Sequence, residues 1–333
     1  MTGAKLLARE LRACGVEFVA VLCGHGLSPF LLAAEEEGLK LVDARTEQGA
    51  SYIADSFSRL SRKVGVCAVS PGVAHVIALA GVANAYFDGA PLLLLTSSSE
   101  SFLLGRGAFQ ELDQVTLTKP LCKYAELVTR PDRIPLALRE ALSRATSGRP
   151  GPAHLTLTLD ALSEEVDENF VKSLPPLPPA RVEQASPGDE GAVREAVRLL
   201  ALSERPVIVA GTGVFYADAG REVLEFARLA RVPVVTPIWD RGAVDRPSPF
   251  FMGVVGAASG EPPLLERADL LVLAGARVDY RLRYLEAPPL RRGLKVVRVD
   301  ISPEELRQGT VSYTHLRAHE TEADLVCRLL LEK

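Results

Sequence analysis

The 333-residue chain has no run of about 18 apolar residues, so no membrane-spanning helix is expected. Its opening, "MTGAKLLARELRACG", sets charges among its leucines and lacks the apolar core of a signal peptide, which argues against export. It has no basic stripe: the net charge is −4, with acidic and basic residues mixed along the chain, and this disfavours nucleic acid as a partner. Its cysteines are few. Cys14, Cys23, Cys67, Cys122 and Cys327 show neither CxxC nor zinc-ligand spacing, so no metal site is read from them. They are expected to be small apolar core residues in a reducing, cytoplasmic setting.

What the sequence does have is alternation. Short runs rich in Val, Leu and Ile ("EFVAVLC", "LKLVD", "VGVCAVS", "PLLLLT", "KYAELV", "HLTLTL") are separated by segments of helical period. Asp132 is expected to cap the helix that runs to Ala145. Continuous apolar strands between helices point to a parallel sheet covered on both faces. The proline-rich stretch "SLPPLPPARVEQASPGD" reads as a linker, after which the alternation resumes with "PVIVAG", "VPVVT", "ADLLVLAG" and "LKVVRVD". The predicted fold class is α/β, with two doubly wound parallel-sheet domains at 1–163 and 189–309, a linker at 164–188 and a tail at 310–333. No strand continuing the second sheet is expected in the tail.

Ligands of parallel sheets sit beyond the carboxyl ends of strands. Three stretches of the first domain fall there: "GHG" at 24–26, "RTEQGA" at 45–50 and "SPGVAH" at 70–75. Taken alone, each has an ordinary explanation. Glycines make tight turns, Glu47 is a helix-start carboxylate favoured by the helix dipole, and His75 is a core histidine inside an apolar helix.

Together, "TEQGASYIADSFSRLSRKVGVCAVSPGVAHVIALAGVANAYFDGAPLLLLTSSSE", "GAFQELDQVTLTKPLCKY" and "SGRPGPAHLTLTLD" resemble the pyrimidine-binding domain of thiamine-diphosphate enzymes. The likeness is to the acetolactate synthase large subunit and the 2-hydroxyacyl-CoA lyase group. "PVIVAGTG", "ADLLVLAGARVDYR" and "VVRVDISPEEL" resemble the middle domain of that family. The resemblance implies an enzyme that forms or cleaves C–C bonds next to a carbonyl through a thiazolium ylid. Its substrate is a 2-oxo acid or a 2-hydroxyacyl-CoA. It further implies a homodimer or homotetramer with sites between subunits and, for a synthase, a place in branched-chain amino acid biosynthesis.

Residue roles carry over from the resemblance. Glu47 is expected to share a proton with N1′ of the aminopyrimidine, with Gly49 and Ala50 leaving room for the ring. Gly24 faces the reacting carbonyl, His25 stands where synthases have a small residue, and Gly72 belongs to the cofactor set. Phe109 and Gln110 match the "FQ" pair facing the active site, and Lys123 matches a lysine at the substrate entrance. Taken alone, Phe109 reads as core and Lys123 as a solvated charge. Gly211, Gly213, Arg277 and Asp300 match positions that contact FAD in synthases, while relatives hold ADP or CoA parts there.

The family anchors the cofactor's diphosphate through Mg²⁺ in a third domain marked by "GDG" and an asparagine pair. These 333 residues contain no "GDG" and only two asparagines, Asn84 and Asn169. The segment "VSYTHLRAHET" resembles a translated sequencing-adapter read-through, so the tail is expected not to be native. The alternative from another class is a non-catalytic nucleotide-binding module.

Overall fold

The computed structural model describes residues 1–182, 188–240, 242–256, 263–307 and the backbone of Tyr313–Arg317. They fall into two compact units, Met1–Val182 and Glu183–Lys333.

The first unit opens with α1 (Gly3–Ala13), whose N-terminus is closed by the Thr2 hydroxyl accepting from the Lys5 amide. Leu6, Leu7 and Leu11 recur at helical spacing and are fully buried. There follow β1 (Phe18–Val21), α2 (Ser28–Glu36), β2 (Lys40–Asp43), α3 (Glu47–Ser61), β3 (Gly65–Val69), α4 (Val73–Asp88) and β4 (Leu92–Ser98). Then come α5 (Gln114–Thr118), β5 (Tyr124–Val128), α6 (Ile134–Thr146), β6 (Ala153–Thr158), α7 (Leu159–Ser163) and α8 (Glu168–Ser173). The six strands form one parallel sheet in the order β2-β1-β3-β4-β6-β5.

Every residue of β3 is buried, because both faces of the sheet are covered. Leu7, Leu11, Val19, Val21, Leu93, Leu95, Ile134 and Leu138 pack on one face. Ala20, Ala50, Ala54, Cys67, Val69, Ala78 and Leu94 pack on the other, under α3 and α4. β1 pairs with β2 on one side and β3 on the other. This reversal opens a crevice beyond the carboxyl ends of these strands, where such sheets bind ligands.

Several expectations need correction. The proline-rich stretch is not a free linker up to residue 182. Its backbone is tied to the first unit by Ala180 N–H to Cys14 O, Val64 N–H to Ala180 O and Val182 N–H to Arg62 O, and α8 leads into it within 164–188. Asp132 does not cap α6. It lies in a 3-10 turn (Pro131–Arg133), and its carboxylate is held by the Arg130 guanidinium. Cys14 and Cys67 are buried as expected, but Cys23 is exposed because it follows the end of β1 on the rim loop. Cys327 lies outside the described residues.

The second unit contains α9 (Glu190–Ala201), β7 (Pro206–Ala210), α10 (Thr212–Tyr216), α11 (Gly220–Ala230), β8 (Val234–Pro237) and β9 (Phe251–Val255). It continues with α12 (Leu264–Arg267), β10 (Leu270–Ala274), β11 (Lys295–Asp300), α13 (Pro303–Arg307) and β12 (Tyr313–Arg317). Its sheet is also parallel, in the order β12-β11-β10-β7-β8-β9. β9 and β12 extend the four strands legible in the sequence. β12 corrects the expectation that no strand follows residue 310: it pairs with β11, whose outer backbone groups would otherwise form an open edge. Among the described residues no helix is long and apolar enough to cross a membrane.

Candidate active site

Glu47 is the first residue of α3. The Thr46 hydroxyl caps that helix by accepting from the Gly49 amide at 3.0 Å, so Glu47 is placed by the cap and not by its own side chain. The chain reaches this point from β2 through Ala44, whose amide bonds to Val21 O at 2.9 Å. Glu47 therefore stands on the rim at the reversal of strand order. It is half-buried, and its carboxylate makes no hydrogen bond or ion pair among the described residues. Its field reaches Cys67 in β3, whose thiol pKa is pushed up first by burial and second by this carboxylate.

The neighbouring strand ends bring the other rim residues together. A Cβ on Gly24 would lie 2.0 Å from Ser70 Oγ, so the glycine makes room for the serine of the next loop. Ser70 Oγ is buried and has no hydrogen-bond partner. His25 is exposed, and its carbonyl accepts from Ser97 Oγ at 2.6 Å. Its ring meets that of Phe109 edge-on, with centroids 5.1 Å apart. Phe109 is 62% exposed, so it is not a core residue. Gly72 has φ 61° and ψ −112°, and a Cβ there would lie 2.6 Å from Gln110 O. Only glycine fits that turn, and the contact brings Gln110 to the same rim. Gly24, His25, Gly72, Phe109 and Gln110 are thus assembled, with Glu47 one strand end away.

Lys123 is not brought to this rim. It directly precedes β5 and so stands at the amino ends of the strands, opposite the other residues. Although the residue is exposed, its ammonium donates to the carbonyls of Ser147 and Arg149, the latter at 2.8 Å. Desolvation of the ammonium, followed by the charges of Arg144 and Arg149, lowers its pKa to about 8.

Three rim residues were missed in the sequence. Ser70 directly follows β3, and its hydroxyl faces Gly24. Glu111 accepts the amides of Gly105, Gly107 and Ala108, the last two at 2.9 Å, and so folds the loop before Phe109. Gln114 follows the capping Asp113, which is the signal that a helix starts there.

The described residues fit the pyrimidine half of thiamine diphosphate. They offer a half-buried carboxylate without a partner among the described residues and, on the same rim, a buried hydroxyl that also lacks one.

In the second unit, Gly211, Gly213, Arg277 and Asp300 converge at the ends of β7, β10 and β11, but they converge on protein. Cβ atoms on Gly211 and Gly213 would lie 2.3 Å from Gly275 O and 2.6 Å from Gly275 Cα. The Thr212 amide is taken by Asp240 Oδ2 at 3.2 Å. Arg277 pairs with Glu305 at 3.3 Å, and Asp300 accepts from the Ser302 amide at 2.8 Å. Among the described residues, these groups are engaged with one another and with Gly275, Asp240, Glu305 and Ser302.

Comparison with known proteins agrees with the two-unit reading. Residues 1–117 match the family model for the N-terminal TPP binding domain of thiamine pyrophosphate enzymes, and residues 193–318 match the central domain. The chain is 33% identical to 2-hydroxyacyl-CoA lyase 2 of Homo sapiens over 91% of its own length and 52% of the relative's. It is 30% identical to the acetolactate synthase large subunit of Corynebacterium glutamicum, over 99% of the chain and 52% of the relative. It is 29% identical to 2-hydroxyacyl-CoA lyase 1 of Dictyostelium discoideum, over 92% and 52%. The chain spans about half the length of the curated relatives it matches.

Proposed function

Because the chain belongs to the thiamine pyrophosphate enzyme family, we propose that it forms the N-terminal and middle portion of a thiamine-diphosphate-dependent carboligase or lyase. The observation that carries this reading is the placement of Glu47, a carboxylate free of protein partners at the reversal of strand order. When bound, the cofactor supplies a carbanion equivalent that makes or breaks the bond next to a carbonyl. Glu47 holds and returns a proton at the N1′ atom of the aminopyrimidine. Gly49 leaves its approach free of bulk, while Ala50 packs inward from α3 into the core. Gln110 and Phe109 border the ligand from the loop folded by Glu111. In the resembled family a third domain holds the diphosphate through Mg²⁺, and the described residues would meet the pyrimidine half alone.

The substrate is a 2-oxo acid, for a synthase, or a 2-hydroxyacyl-CoA, for a lyase. His25 standing over the rim against Phe109 supports the lyase, because its ring fills space that a synthase leaves to a small residue. A synthase condenses two pyruvates with loss of CO₂; a lyase cleaves a 2-hydroxyacyl-CoA to an aldehyde and formyl-CoA. The outward side of α4 exposes Val73, Val76, Ile77 and Phe87, and supports self-association of the first unit. A non-catalytic nucleotide-binding module is the reading from another class; the match of residues 1–117 and 193–318 to thiamine pyrophosphate enzyme domains favours the enzyme.

The test is Glu47→Gln in the complete protein, that is, this chain continued by a diphosphate-binding domain. Turnover is expected to fall about 10²–10⁴-fold, the usual worth of a positioned proton-transfer group. Unchanged turnover would refute the reading. The 333-residue chain alone is expected to bind thiamine diphosphate and Mg²⁺ weakly in isothermal titration.

A further inference from the structure

We propose that Gln114 is the positioning residue of this rim. Its buried side-chain amide holds the β3–α4 turn, the end of β4 and the segment bearing Phe109 and Gln110 in one geometry. The inference rests on the reading that the ligand binds at this rim.

Gln114 is 2% exposed, and both ends of its amide are used. Oε1 accepts the Gly72 amide at 3.0 Å, and Nε2 donates to Ser97 O at 3.2 Å and Thr156 Oγ1 at 3.3 Å. One side chain thus joins the ends of β3, β4 and β6. Ser97 passes the constraint to a fourth element, because its hydroxyl donates to His25 O. Gly72 in turn abuts the backbone of Gln110, so the segment that starts α5 is fixed at both of its contacts with the rim.

The amide is itself held by a closed ring of buried polar groups. Thr118 Oγ1 donates to Gln114 O at 2.7 Å, leaving its lone pairs for His75 Nε2 at 2.9 Å. His75 is therefore the Nε2–H tautomer, and its Nδ1 accepts from the Thr96 hydroxyl at 3.1 Å. Thr96 can then only accept from His154 Nε2, at 3.1 Å, so His154 carries a proton there also. His154 Nδ1 is the buried atom left without a partner, as this sense of the ring requires. Thr156 closes the ring, 3.2 Å from His154 Nε2 and bonded to Gln114 Nε2. With Oε1 on the Gly72 amide and Nε2 on Ser97 O and Thr156 Oγ1, the amide of Gln114 has one favourable orientation, and it ties β4 and β6 to the turn after β3.

The proposal predicts coupling that a plain core residue would not show. In the 333-residue chain, Gln114→Leu is expected to speed hydrogen exchange at the Gly72 amide about tenfold or more, the cost of one hydrogen bond of roughly 1.4 kcal/mol, while Cys67 in β3 changes less than about twofold. In the complete enzyme the same variant lowers kcat about 10–100-fold with the thiamine diphosphate Kd changed less than about threefold, as misplaced reacting groups do. Gln114→Glu keeps an acceptor for Gly72 but loses the donor to Ser97, and falls between. Ala141→Gly in α6, on the other face of the sheet, is the control for lost stability. Unchanged exchange at Gly72, or a loss of kcat no greater than in an Ala141→Gly protein of equal Tm, overturns the positioning role. If exchange couples as described but the wild-type complete protein shows no turnover dependent on thiamine diphosphate, it is the catalytic reading that fails, and the role of Gln114 in catalysis with it.

Discussion

The imidazoles of His75 and His154 lie 4.9 Å apart, centroid to centroid, inside the first unit, and both are fully buried. Burial brings the His75 pKa down to about 4 and holds that of His154 well below the usual value, with His75 as a second cause for His154. The groups facing His75 are Thr96, Thr118, Gln114 and His154, and none is an anion that could support a charge.

The folded chain therefore binds fewer protons than the unfolded chain between about pH 6.5 and 4. Stability is complete above the ordinary histidine range and is lost as pH falls through it toward 4, by roughly 3 kcal/mol for His75 alone. His75→Gln, which keeps polar atoms but cannot titrate, is expected to flatten Tm against pH across that window. An equally steep profile in the variant would remove the histidine as the cause.

The fold class and most strands of both sheets were legible because buried parallel strands read as continuous apolar runs, as "PLLLLT" and "ADLLVLAG" do. Glu47 was legible as a helix-start carboxylate, which it is; its role toward a cofactor came only from the resemblance of the surrounding motifs. Gln114 was not, because nothing local distinguishes a glutamine that reaches a glycine 42 residues away from one in water. Lys123 precedes β5 and so stands at the amino ends of the strands, which could be read once the strand "KYAELV" was placed. Gly211 and Gly213 signal close backbone approach, and the sequence could not show that Gly275 makes it.

Glu111 governs the loop before Phe109. Amides of Gly105, Ala108, Gly107 and Arg106 hold its carboxyl below the usual range. Its share of loop order is present above the ordinary glutamate pKa and is lost as pH falls through the depressed folded value. Glu111→Gln is expected to loosen the loop at neutral pH, read as faster tryptic cleavage after Arg106 with little change in global Tm. Cleavage as slow as in the wild type would show that the amides are held by something else.

Gly24 and Ser70 are expected to be coupled. Gly24→Ala drives a Cβ into Ser70 Oγ and is expected to cost about 1–3 kcal/mol by overpacking. Ser70→Gly removes the obstruction, so the double variant recovers most of that loss. Denaturation midpoints of the four proteins measure the coupling, and simple additivity would mean that the serine rotates away freely.

Arg281 holds the second unit from within. Its guanidinium meets Asp240 at 2.6 Å and Asp279 at 2.9 Å, and the side chains of Arg281 and Asp240 are 7% and 8% exposed. It also donates to Ile238 O at 3.1 Å, while the other oxygen of Asp240 accepts the Thr212 amide. Arg281→Leu leaves the Asp240 charge buried and unpaired, which costs about 3–5 kcal/mol. Adding Asp240→Asn removes that charge but keeps an acceptor for Thr212, so the double variant is expected to be more stable than Arg281→Leu alone. Trp239 is the single tryptophan of the chain and adjoins Asp240, so its fluorescence in urea follows this unit and not the first. If the double variant were no more stable than the single one, the loss would come from the packing of the arginine stem and not from the stranded carboxylate.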